Sequence, residues 1–115
     1  MTSELHNVFH QPFTSAVAVA EALAPGVRFR LLRIEAHWSA APSDSENFTV
    51  TLDAGNGSAY DTLIDSVNPS SGSQTDLIFT YGEGYEYEAG DEIDIAYTNT
   101  GTDTISGRYV YELPK

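Results

Sequence analysis

The chain has no cysteine in its 115 residues. Disulfides and thiolate metal sites are therefore excluded, and the fold is held by packing or by assembly. Positive charge is scarce: five Lys and Arg stand against seventeen Asp and Glu, for a net charge of −12. A field of that sign repels phosphate backbones and anionic bilayers, which argues against nucleic acid and membrane as partners. Long apolar runs are also missing. The stretch from Ala16 to Ala24 is interrupted by Glu21 and is far too short to cross a bilayer. The N-terminus, Met1 to Phe13, shows no basic start followed by an apolar core, so no secretory signal is expected and synthesis in a cytoplasm is. No G-x-S-x-G motif is present, and only three histidines are available to serve as a catalytic base.

What is present points to sheets. Seven Tyr and five Phe accompany a single Trp, and 41% of residues are hydrophobic. That composition suits one modest core lined with aromatic side chains. The acids are unevenly placed. Residues 1–37 balance Glu4, Glu21 and Glu35 against Arg28, Arg30 and Arg33, so the whole net charge falls on residues 38–115.

Period-2 alternation marks the strands. Val27, Phe29 and Leu31 alternate with arginines; then Leu32, Ile34, Ala36 and Trp38 alternate with Arg33, Glu35 and His37. The apolar phase slips by one residue at Leu31-Leu32, which predicts a bulge or a strand that changes sheets. Asn47–Asp53, Asp76–Tyr81, Glu92–Asn99 and Ile105–Leu113 alternate cleanly. Asn56-Gly57 predicts a tight hairpin turn leading to a strand over Tyr60–Ile64. Gly82 and Gly84 are expected to end a strand, with a short one over Tyr85–Glu88, and Ala89-Gly90-Asp91 to form a turn. Ser15–Ala24 reads equally as helix or strand. Residues 1–13 show no period and predict a short irregular N-terminal arm anchored by Phe9 and Phe13. With no helical segment between strands, the expectation is all-β. It is an antiparallel β-sandwich of seven to nine strands, jelly-roll-like, over residues 14–115, with an immunoglobulin-like sandwich as the alternative.

The polar motifs are weak as chemistry. His6 and His10 would need a helix to share a zinc ion. Glu86 and Glu88 share a strand face, the ordinary pattern of a solvated surface. Asp53–Gly57 and the group Asp91, Glu92 and Asp94 offer oxygens without the spacing of an EF-hand loop. No metal and no cofactor is expected, nor enzymatic activity. Trp38, Tyr81, Tyr85 and Tyr87 are the residues that would stack on a sugar ring if the domain bound carbohydrate. Phe9, Phe13, Arg28, Arg30 and Arg33 are the expected interface residues: two apolar anchors and the one basic strip of an acidic chain.

Two resemblances add to this. Tyr87-Glu88-Ala89-Gly90-Asp91-Glu92-Ile93-Asp94-Ile95 resembles the strand entry of jelly rolls of the tumour-necrosis-factor and complement C1q type, and Tyr109-Val110-Tyr111-Glu112-Leu113 fits their last strand. That resemblance implies a trimer. Leu31–Trp38 followed by Asn47–Asp53 resembles small virion proteins of tailed bacteriophages, of the decoration (cement), head-fibre or tail accessory kind. It implies a non-enzymatic structural protein of a virion, made in the host cytoplasm. Its partners would be capsid or tail proteins and further copies of itself. A carbohydrate-binding module is the alternative.

Overall fold

A computed structural model describes residues 7–114. Eight strands follow in chain order: β1 (Val8–Ser15), β2 (Val19–Leu23), β3 (Phe29–Trp38), β4 (Phe48–Asp53), β5 (Thr62–Val67), β6 (Asp76–Tyr87), β7 (Glu92–Tyr97) and β8 (Ile105–Glu112). They form two four-stranded antiparallel sheets, β1-β8-β3-β6 and β2-β7-β4-β5. Consecutive strands cross from one sheet to the other at every step except β4 to β5, which pair directly as an antiparallel hairpin; this is the strand order of a jelly roll.

Alternation decides which residues enter the space between the sheets. On β3 these are Phe29, Leu31, Ile34, Ala36 and Trp38, all buried. They face Phe48 and Val50 of β4 and Ile93, Ile95 and Tyr97 of β7. Trp38 sits edge-on to Phe48 and Tyr97, at ring distances of 5.7 and 5.4 Å. Fully burying each such side chain contributes roughly 1.5–3 kcal/mol.

The phase slip is a bulge. Register shifts between Leu31 and Arg33 against both neighbours of β3, so Leu32 is the extra residue. On the β6 side the mismatch is larger: Leu31 pairs with Tyr85 but Arg33 with Thr80. Gly82 and Gly84 absorb it with positive φ of 62° and 106°. These glycines therefore do not end the strand as expected; β6 runs unbroken through them.

Two further expectations are corrected. The arm over residues 1–13, expected to be irregular, is strand from Val8 onward. Val8–Ser15 pairs along its whole length with β8, and Phe13 is buried against Tyr109. Residues 1–6 lie outside the described residues. The Asn56-Gly57 hairpin is instead a turn closed by Gly57 N–H donating to the Ala54 carbonyl at 3.0 Å, then a 3-10 turn over Ser58–Tyr60. The expected strand accordingly starts at Thr62. Ser15–Ala24 resolves as the end of β1 and β2.

The loops are tied by polar side chains. Asp91 accepts from Gly55 N–H at 2.9 Å and from Glu88 N–H at 2.8 Å, so it caps its own turn and holds the β4–β5 connection to it. Asn99, the buried polar residue of the core region, donates to the Val17 and Asp103 carbonyls, both at 2.9 Å.

Candidate functional site

The aromatic residues suited to sugar stacking do not form one surface. Trp38 is wholly buried and Tyr81 nearly so, which corrects the expectation for both. Tyr81 donates its hydroxyl to Asp65 at 2.8 Å. Tyr87 is half-buried against Phe29 at 5.5 Å. Tyr85 alone of the four is open, 51% exposed, with its ring 4.9 Å from that of Tyr81.

The expected interface residues divide. Phe9 and Phe13 point into the sandwich, where Phe9 stacks on Tyr111 at 5.4 Å and stays partly exposed. Arg30 and Arg33 stand on the outer face of the first sheet, and Arg28 precedes β3 at its rim. Arg28 Nε lies 3.0 Å from Glu86. Glu35 is held from two sides: Arg108 donates to it at 3.0 Å, and Arg33 Nε lies 2.6 Å away as a charge contact. The Arg108 hydrogen bond, with the two nearby guanidinium charges, lowers the Glu35 carboxyl below its ordinary range. On the same face His37 donates from Nδ1 to Asp76 at 2.6 Å, which lowers Asp76. His10 is exposed on this face too, and His6 lies outside the described residues.

The structure brings together three carboxylates that sequence reasoning had placed in separate groups. Asp53 of β4 is paired in register with Glu92 of β7, and Asp94 points to the same side two residues on. Their ligand oxygens lie within 4.8 Å of one another. The hydrogen bond to Asp94 and partial burial, with the Asp94 and Asp53 charges, push the Glu92 carboxyl up to about 7. The group therefore holds a proton at pH values where an ordinary carboxyl is ionised, and its hard oxygens are those that calcium or magnesium takes. Asp91, grouped with them by adjacency, is instead spent on its two backbone donors. Strict period-2 reading of β7 would have separated Glu92 and Asp94 from Asp91.

One end of the first sheet carries a cleft of about 220 Å³, bordered by Arg28, Arg30, Glu86, Glu112, Leu113 and Pro114. Its walls carry both signs of charge. Glu86 faces this cleft and is paired with Arg28, whereas Glu88 lies in the turn beyond β6.

No protein-family model matches the chain, and no curated protein matches it significantly.

Proposed function

We propose that this chain is a non-enzymatic structural protein that works through its surfaces. Specifically, we assign it the role of a virion accessory protein of a tailed bacteriophage, of the decoration or cement kind. The observation that carries the reading is the set of large apolar side chains left open on a small domain. Phe9, Val17, Val27, Tyr60, Leu63, Ile78 and Tyr85 are 40–69% exposed. Four of the seven, Tyr60, Leu63, Ile78 and Tyr85, belong to β5, β6 or the turn before β5, at one edge of the sandwich. Exposed apolar groups gathered at one edge mark a contact surface. The polar side chains support it: Arg28 is paired with Glu86, Arg33 and Arg108 with Glu35, and Asp76 with the His37 ring. The virion setting rests on the sequence resemblance of Leu31–Trp38 and Asn47–Asp53.

Particles assembled without the chain, compared with particles to which purified chain is added back, test the reading. Restored resistance to heat or osmotic shock, with the chain co-sedimenting, is the expected result. Failure of the chain to bind particles, together with glycan-array binding lost in Tyr85→Ala, would replace it with the carbohydrate reading.

A further inference from the structure

All four arginines among the described residues lie on, or at the rim of, the outer face of the first sheet. Strand register sets that face out as rows across β1, β8, β3 and β6. The first row is Val8, Glu112, Arg30 and Glu86; the second is His10, Val110, Arg33 and Thr80. The third is Pro12, Arg108, Glu35 and Ile78; the fourth is Thr14, Ser106, His37 and Asp76. With Arg28, the face carries four guanidinium groups and four carboxylates, so it is neutral. The remaining twelve acids of the described residues lie elsewhere, with no Lys or Arg among the described residues to offset them. Copies of this chain repel one another by every approach that turns those acids together.

The neutral face is also self-complementary at Glu112 and Arg30, at Arg108 and Glu35, and at Pro12 and Ile78. A two-fold axis lying along the strands between β8 and β3 sets β8 over the partner copy's β3, and β1 over its β6. Each row then meets itself reversed. Glu112 faces Arg30 of the second copy, Arg108 faces Glu35, and Pro12 faces Ile78, which is 65% exposed in the single chain. An isologous interface repeats each contact twice. Aligned sheet packing, at about −30°, preserves these pairings near the axis. Four strands about 4.8 Å apart and eight residues at about 3.3 Å give a face of roughly 19 by 26 Å. That is the low end of specific interfaces and suits a weak dimer.

We propose that two copies of this chain dimerise back to back through the outer face of the β1-β8-β3-β6 sheet, with Glu112 against Arg30 and Arg108 against Glu35. The acidic remainder of each copy is then turned outward, free for other partners. This names a partner for the surface-driven role proposed above and rests on that reading of the chain as a surface-driven protein.

Sedimentation of the full chain at about 100 µM and low salt tests it. The expected species is twice the 12.5 kDa chain mass, dissociating in molar salt as the charge pairs are screened. Arg30→Glu alone and Glu112→Arg alone each place like charges together twice, and each is expected to weaken the dimer at least about tenfold. Mixing the two variants restores both opposite-charge contacts, so the mixture dimerises although neither variant does so alone. A mixture of Arg108→Glu with Glu35→Arg repeats the test should either first variant lose its β circular-dichroism spectrum. A monomeric wild type, a trimer, or mixtures that stay monomeric overturn the proposal. Each leaves the particle role to be judged by its own binding experiment.

Discussion

Tyr81 of β6 donates its hydroxyl to Asp65 of β5 at 2.8 Å, and in doing so ties the two sheets together at their shared edge. Burial, with the Asp65 bond next, raises the Tyr81 hydroxyl well above its usual pKa, so it is a donor at neutral pH. A hydrogen bond to a charged acceptor contributes about 1.5–3 kcal/mol. Tyr81→Phe keeps the ring and deletes the donor. We expect a loss of about 2 kcal/mol by urea denaturation, with the m-value unchanged. A loss under 0.5 kcal/mol would show that Asp65 finds another partner.

Glu92 makes stability depend on pH. Its carboxyl stays protonated up to about 7 in the folded chain, against an ordinary value of 4.5. Between those values the native state binds more protons than the unfolded state, so stability falls as pH rises. The contribution is complete below 4.5 and is lost as pH passes through about 7. Glu35 and Asp76 are lowered, and they act in the opposite sense only in the acid range, where stability is lost as they protonate. Glu92→Gln is expected to flatten the fall in melting temperature between pH 5 and pH 8. An unchanged slope in the variant would contradict the crowded-carboxylate geometry.

Gly107 leaves no room for a side chain. A Cβ there would lie 2.1 Å from the Glu35 carbonyl oxygen and 2.7 Å from the Phe13 ring. Gly107→Ala must push β8 away from β3 or expel Phe13, at about 3 kcal/mol. Gly90→Ala meets only the Gly55 Cα, at 3.6 Å, and serves as the control, within about 0.5 kcal/mol of the wild type. Equal effects at the two sites, measured by thermal denaturation, would refute the close approach of Phe13.

Much of this architecture was legible because burial on one face imposes period 2. The slip at Leu31-Leu32 announced a bulge or a change of sheet, since otherwise Ile34 and Trp38 would have faced solvent with the arginines; the register shows the bulge. β1 was not legible, because its inward side reads Phe9, Gln11, Phe13 and Ser15, and two polar residues break the pattern. Pro12 sits within β1 because β1 is an edge, where a missing N–H is tolerated. Gly82 and Gly84 looked like breakers for the same reason that they serve as a bulge: both adopt positive φ. The carboxylate trio required knowing that β4 pairs with β7, a contact between residues about 40 apart that no local pattern announces.

The strand at the N-terminus gives its own prediction. Removing residues 1–13 deletes most of β1 and the buried Phe13, leaving β8 as an edge with Tyr109 uncovered. Burial of that Phe alone is worth roughly 1.5–3 kcal/mol. The truncated chain is expected to melt at least about 10 °C lower or to aggregate, as scanning calorimetry would show. A truncation as stable as the full chain would mean that β1 contributes nothing to the sandwich.

We propose above that this jelly roll is part of a virus particle. Quantitative mass spectrometry of purified particles tests it most directly. The expected result is the chain at a fixed, high copy number relative to the major capsid or tail protein, retained through density-gradient purification. Its absence from purified particles, while it is abundant in the infected-cell lysate, would contradict a virion role.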